Sequence, residues 1–270
     1  MKLLHSSAAL LALVALTSSC LAPFPSWADA PNDDVSRQTA ARILEQSVEA
    51  HGDIYGMLDE IRVAYTGEWG SIVPVVQSVL ADVEYRQTSR ERLILDSDRI
   101  EQTHEGPGGT KTVLRTRDSI EVSYNGVPSE DPEVLASAAL VADLYTMFLT
   151  APSYVDRRND ALRLADPVKL DGRTHHRVMA HLSPGFGLAK DDFIVLWIDA
   201  QTFRVNRVGF TMRGLESTRN AHVEVTFDRY RDVEGFPFPT DFVERVRYPL
   251  PTTAHEWYST ELEAFLRVGP

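Results

Sequence analysis

Residues 192–248 constrain this chain more than any other stretch. They read DFIVLWID, a turn, FRVNRVGFTMR, a loop, HVEVTFDRYRDVEGFPFP and then TDFVERVRY. These are long strands in direct succession, joined by short polar connections, with no helix-length pattern between them. Parallel pairing needs a crossover of a dozen or more residues, so this stretch predicts antiparallel pairing. A large antiparallel sheet twists and curls. If its inner face is apolar, the hollow is filled either by the protein's own side chains or by a ligand.

The first residues read as a targeting segment. Met1-Lys2 gives a short positive start, and residues 8–16 (AALLALVAL) form an uncharged apolar core. That core is too short to span a bilayer, which takes about 20 apolar residues. Two processing readings stay open. Ser26-Trp27-Ala28 places small residues for ordinary signal peptidase, giving a signal peptide over 1–28. Thr17-Ser18-Ser19-Cys20 resembles a bacterial lipobox, which would give a lipidated Cys20 and a membrane anchor. Cys20 is the only cysteine, so the chain makes no intramolecular disulfide. Residues 29–34 read as a disordered tether and 35–270 as one domain, ample for a sizeable core. The chain has 39 Asp+Glu against 27 Lys+Arg and no basic stripe, which speaks against nucleic acid as a partner.

From Val35 the pattern is helical, with Ile43, Leu44 and Val48 on one face and Gly52 placed to end the helix. A short helical piece is expected over 54–60. Period-two alternation then begins at Ile61, Val63, Tyr65 and Trp69. Further strands are expected at 80–88, 92–96, 99–105, 110–117 and 119–124. Turn signals fall between them, among them Gly106-Pro107-Gly108-Gly109 and Asn125-Gly126.

One segment interrupts this pattern. Asp131 is a competent N-cap with Pro132 at the first helical position, and a helix is expected up to Pro152. Its apolar residues, including Leu144, Tyr145 and Phe148, cover nearly the whole circumference, which marks a buried helix. At 1.5 Å per residue it is roughly 27 Å long. A charged connector, a strand over 161–170, a turn at Asp171-Gly172 and a strand over 175–182 follow. A last strand is expected within 255–268.

The order of landmarks carries a resemblance. An amphipathic helix ends in Ala50-His51-Gly52; strands and the inserted apolar helix follow. Trp197-Ile198-Asp199 comes next, with Thr202 three residues on, and then Tyr230-Arg231-Asp232-Val233-Glu234-Gly235-Phe236-Pro237-Phe238-Pro239. The chain resembles the outer-membrane lipoprotein-sorting and lipoprotein-carrier (LolA/LolB-like) superfamily of Gram-negative envelopes. That resemblance implies a half-open β-barrel with helices plugging a hydrophobic cavity that receives acyl chains. The charged connector and the large acidic excess depart from the well-known carriers. Each landmark also has a local reason: Asp199 can form an Asx-turn with the amides after it, and Pro237 and Pro239 mark a strand start or edge.

Other chemistries find little support in the sequence. His175 and His176 are adjacent on a strand and face opposite ways. His175 and His181 share a face but lie about 20 Å apart by strand rise. No metal site and no cofactor are therefore expected. No Gly-x-Ser-x-Gly occurs, Asp191-Asp192 read as solvated acids, and the glycines of 106–109 form a turn rather than a phosphate loop. Arg204, Arg207, Arg229 and Arg245 read as surface ion-pair partners.

The reading is thus an α+β domain. A strongly curved antiparallel sheet of about ten strands holds helices in its concave face. The expected function is non-enzymatic binding and transport of a lipid or lipoprotein acyl chain in the periplasm. An envelope protein partner is a further candidate. The alternatives are an envelope structural or interaction protein with a filled core and, third, a hydrolase. The expected cavity residues are Tyr65, Trp69, Tyr85, Leu144, Tyr145, Phe148, Trp197, Phe210 and Phe227. The helix is expected to face Trp197 and its strand neighbours.

Overall fold

The computed structural model describes residues 24–219, 221–249 and 251–268; Cys20 and the apolar core of the leader lie outside them. Helix α1 (Asp34–His51) starts where Asp33 accepts a hydrogen bond from the Ser36 amide, 2.8 Å, and Gly52 follows its end at φ 78°. Ala40, Ile43 and Leu44 are its buried stripe. After the single turn of α2 (Ile54–Met57) comes β1 (Leu58–Trp69), then two four-residue helices, α3 (Val73–Val76) and α4 (Ser78–Ala81). A meander follows: β2 (Thr88–Ile94), β3 (Arg99–Gly106), β4 (Gly109–Arg115), β5 (Ile120–Tyr124) and β6 (Val127–Pro128). Helix α5 (Pro132–Arg158) leads into β7 (Asn159–Leu170), β8 (Arg173–Leu182), β9 (Asp192–Asp199), β10 (Val205–Thr211) and β11 (His222–Phe227). The chain closes with β12 (Tyr230–Val233), β13 (Phe236–Pro239), β14 (Asp241–Tyr248) and β15 (Thr252–Leu266).

The protein is α+β. One antiparallel sheet has thirteen strands in the order β6-β5-β4-β3-β2-β1-β15-β14-β11-β10-β9-β8-β7, open at β6 and β7. The count exceeds the expected ten or so. A two-residue strand such as β6 is too short to show alternation, and β15 begins before its pattern becomes visible. The hairpin β12–β13 leaves the sheet as a separate ribbon, so β14 pairs directly with β11. Pro237 and Pro239 lie on that ribbon, where missing amide donors are tolerated.

Three hairpins turn on two residues with positive φ: Asn125-Gly126, Asp171-Gly172 and Glu234-Gly235. Positive φ at both central residues is the type I′ pattern that matches strand twist, and Asn, Asp and Gly reach it most easily. Between β9 and β10, Asp199 Oδ1 accepts from the amides of Gln201 and Thr202, 2.9 Å each, which is the expected Asx-turn.

Two segments differ from the sequence reading. Residues 80–87 do not form a strand; Leu80 and Ala81 complete α4, a turn follows, and strand begins only at Thr88. Helix α5 does not stop at Pro152 but runs to Arg158, bending where Thr150 takes φ −117° and ψ 18°. Proline removes one helical hydrogen bond and crowds the preceding turn, which accounts for the bend. Burial of Tyr154 and Val155 in the main core beyond it offsets that loss.

Helix α5 has 27 residues, about 40 Å of length, and almost all of its apolar positions are buried. Its length and composition would suffice to cross a bilayer, but that surface is covered by the rest of the protein. One buried ion pair ties it down. Asp143 on α5 accepts from Arg115 on β4 through both carboxylate oxygens, 3.3 Å each, and from the Gly187 amide at 2.8 Å. Arg115 also donates to the Gly187 carbonyl, 3.0 Å. Gly187 sits in the connection between β8 and β9, so this cluster joins strands eight places apart in the sheet order.

Candidate ligand cavity

A cavity of about 480 Å³ lies between α5, the helical turns α3–α4 and the middle of the sheet. Its volume is within the ordinary range for small-molecule sites, about 300–1,000 Å³. The walls are mostly apolar: Val141, Leu144, Tyr145 and Phe148 come from α5, Trp69 from β1 and Val246 from β14. Ile72, Val73 and Val76 form the third side, and Ile72 and Val76 are also solvent-exposed, which places them at the mouth. Pro74 stands in the first turn of α3, where its fixed φ favours helix and its missing amide costs nothing.

From Trp69 an aromatic stack runs on into the core behind the cavity. Trp69, His255, Trp257 and Phe242 stack in succession, with centroid spacings of 4.0, 4.8 and 5.0 Å. Tyr145 stacks on Trp257 at 5.2 Å, and its hydroxyl lies 3.1 Å from His255 Nδ1. Burial lowers the His255 imidazole to about 3, so it stays neutral and can accept that bond.

Four Glu and Arg side chains belong to the lining: Glu216 and Arg219 pair with each other in the β10–β11 connection, while Arg86 and Glu244 interrupt the apolar wall. Arg86 is only 8% exposed; its guanidinium lies 5.1 Å from the Trp69 ring centre and 5.6 Å from that of Tyr145. It donates to the Leu80 carbonyl and, at 3.4 Å, to the Tyr145 hydroxyl, while its Nε has no partner. Glu244 on β14 lines the same cavity, and burial pushes its carboxyl up to about 7, with nearby Arg86 opposing the shift. Glu91, near Arg86, is raised to about 7 by burial, which outweighs the hydrogen bond it accepts from Ser89 and the attraction of Arg86.

Glu244 gives a testable pH dependence. Its folded-state value lies above the ordinary 4.5, so its charge is harder to form in the folded protein than in the unfolded chain. The wild type should therefore lose stability from this group as pH rises from about 4.5 to about 7, with no further loss above that. Glu244→Gln removes the ionisation. Its stability relative to wild type should climb across this window by about 1–2 kcal/mol, a figure reduced for the group's partial exposure. Urea titrations at several pH values measure the difference; a pH-independent difference would show that Glu244 is not held neutral.

The expected cavity residues separate into three groups. Trp69, Leu144, Tyr145 and Phe148 line the cavity. Tyr65, Phe210 and Phe227 are closed core beside it: Tyr65 meets Tyr145 at 5.6 Å, and Phe148 meets Phe210 at 5.6 Å and Phe227 at 6.5 Å. Tyr85 and Trp197 are elsewhere. Tyr85 is in the turn after α4, not on a strand, and packs on Tyr124 at 4.6 Å. Trp197 does not face α5. It lies on the other side of the sheet with Met179, Val195, Ala30 and Trp27, while Ile194, Leu196 and Ile198 point toward the helix. The strand is buried on both faces, so alternation alone could not say which face meets α5.

Of the four arginines expected to form surface ion pairs, Arg229, just before β12, pairs with Asp241 at the surface, Arg207 pairs with Glu224 in a largely buried contact, and Arg204 lies over the Tyr230 ring. His175 and His176 do not converge: His175 bonds the Arg173 carbonyl and Asn206, and His176 stacks toward Phe203.

No family model matches the sequence, and no curated protein matches it. Solved structures do. A LolA superfamily protein from Nitrosomonas europaea superposes with a TM-score of 0.54 at 12% identity, over 87% of this chain and 95% of that one. The fold is LolA-like. A DUF1329 family protein from Desulfovibrio piger matches with a TM-score of 0.50 at 11% identity, over 85% of this chain and 93% of its own. The LolA-like fold therefore extends over most of this chain.

Proposed function

We propose that this protein binds the alkyl chain of a lipid or lipoprotein in the cavity beside α5 and carries it, without chemistry, within the bacterial envelope. The observation that carries the reading is the open, mostly apolar cavity walled by Leu144, Tyr145, Phe148 and Trp69. Filling such a preformed apolar space with a hydrocarbon chain costs little, whereas polar cargo would leave groups unsatisfied. The LolA-like fold and the order of landmarks in the sequence support the same assignment. The apolar leader at 8–16 supports export, as a periplasmic protein or one anchored through Cys20, with a single carrier domain from residue 35 onward.

A half-open barrel fits this role, and the Arg115–Asp143–Gly187 cluster supports that shape. In a flat sheet, eight strand spacings would hold β4 and β9 about 38 Å apart. The nine-residue loop carrying Gly187 reaches out only about 15 Å before it must return. Curling of the sheet around α5 brings the two sides within the 3.0 Å of the Arg115–Gly187 bond. Exposed Ile72 and Val76 at the mouth, with exposed Val75 between them in sequence, suit transfer to or from a membrane or a protein partner.

Leu144→Trp tests the reading. Leu144 borders open space, so the larger side chain should be accommodated without the strain of overpacking. The variant should fold and bind the neutral apolar dye Nile red at least tenfold more weakly than wild type. A folded variant with unchanged dye affinity would remove α5 from the site. Native mass spectrometry of protein purified from its own envelope then identifies the cargo.

A further inference from the structure

The cavity has a charged inner end that a plain hydrocarbon does not use. Arg86 is 8% exposed, and among the described residues no carboxylate forms an ion pair with it. Its neighbours are the faces of Trp69 and Tyr145, the Leu80 carbonyl and the Tyr145 hydroxyl. Its Nε is buried without a partner. Buried guanidinium groups are ordinarily matched by an anion, and leaving one unmatched costs several kcal/mol. Two carboxyls near it, Glu91 and Glu244, are both pushed up to about 7 by burial, so below that pH they compensate it poorly.

We propose that Arg86 is the head-group site of the cavity, and that the ligand is a single-chain amphiphile with an ionised carboxylate, bound head inward against the guanidinium with its alkyl chain running toward Ile72 and Val76. This rests on the cavity being a lipid site, and it specifies which lipid. A planar guanidinium matches a carboxylate with two parallel hydrogen bonds. The protonated Glu244 carboxyl, on the same cavity wall, is a hydrogen-bond donor to such an anion. Leu144 and Phe148 flank the path of the chain. An esterified acyl chain has no charge to place at this end and gains nothing from Arg86.

Dodecanoate and methyl dodecanoate have the same alkyl chain and differ only at the head. Each is titrated against Nile red bound to the full-length protein at about pH 6, where Glu244 is still protonated and a free carboxylate is ionised. Wild type should bind the acid at least tenfold more tightly than the ester, the ordinary scale of a charge-assisted bidentate pair. Arg86→Gln should abolish the preference, the acid losing at least tenfold more affinity than the ester. Equal affinities in wild type would overturn the assignment of Arg86 while leaving the cavity as a lipid site. Failure of both compounds to displace the dye would overturn the cavity reading as well. A crystal structure of wild type with 12-bromododecanoate makes the test independent of the variant's folding. The carboxylate should lie within hydrogen-bond distance of Arg86 and the bromine near Ile72 and Val76; the reverse orientation would refute the proposal.

Discussion

Asp143→Ala should destabilise the protein by about 3–5 kcal/mol, because it strands a buried cation. Arg115 is 8% exposed and Asp143 2%, and the aspartate also holds the Gly187 amide. Removing the carboxylate leaves the guanidinium with carbonyl acceptors only and the Gly187 amide without its bond. Replacing both partners, Asp143→Leu with Arg115→Met, should recover most of the loss, since the desolvation cost leaves with the charges. Urea denaturation of the wild type, the single variant and the double variant measures both effects. A loss below about 1 kcal/mol for Asp143→Ala would show that the pair is solvated rather than buried. Gly187 has its own constraint: φ is +62°, and an added Cβ would come 2.8 Å from the Leu140 amide nitrogen. The loop can close over α5 only with glycine there.

Phe148→Ala and Trp197→Ala should each cost about 3–5 kcal/mol, the usual range for emptying a large aromatic site. Both side chains are buried, at 2% and 0% exposure. Their effects on binding should differ. Phe148 borders the cavity and packs on Phe210, Phe227 and Trp257, so its truncation reshapes the ligand space. Trp197 lies on the opposite face of the sheet, among Met179, Val195 and Trp27. Phe148→Ala should change Nile red affinity at least fivefold, whereas Trp197→Ala should leave it within twofold. Equal effects on affinity would mean that the dye binds somewhere other than beside α5.

The sequence was most informative where a local rule has few solutions. Asn125-Gly126 and Asp171-Gly172 offer residues that tolerate positive φ at both turn positions, and each is a hairpin. Asp131-Pro132 announces the start of α5, and the side chain of Asp131 does cap it by accepting from the Glu133 and Val134 amides. The helical turns at 73–81 were missed because four residues are too few to show a helical period. That side of the cavity wall was therefore invisible, Ile72, Val73 and Val76 included. Arg86 was missed for a different reason. Nothing in its neighbours along the chain distinguishes it from a surface arginine; its isolation comes from Trp69 and Tyr145, brought together by packing. Trp197 was placed on the wrong face because period two fixes which residues share a side of a strand, but not which side the helix covers.

The place of β15 in the sheet sets an order of events for the newborn chain. This last strand, 15 residues long, lies between β1 and β14, pairing residue by residue with both. Until the C-terminus is available, β1–β6 and β7–β14 can form only as two separate half-sheets, each ending in an unpaired edge at the future seam. Unpaired edges recruit other strands, so this is the interval in which the chain is most open to aggregation. Closing the seam joins Leu58 to Leu266 across nearly the whole described chain, a slow kind of contact to make. The cavity wall built from Trp69, Val246 and Ala254 straddles that seam and comes into being only with the final strand. A ribosome-stalled or C-terminally clipped chain would thus be unable to hold cargo, however well its two halves had folded.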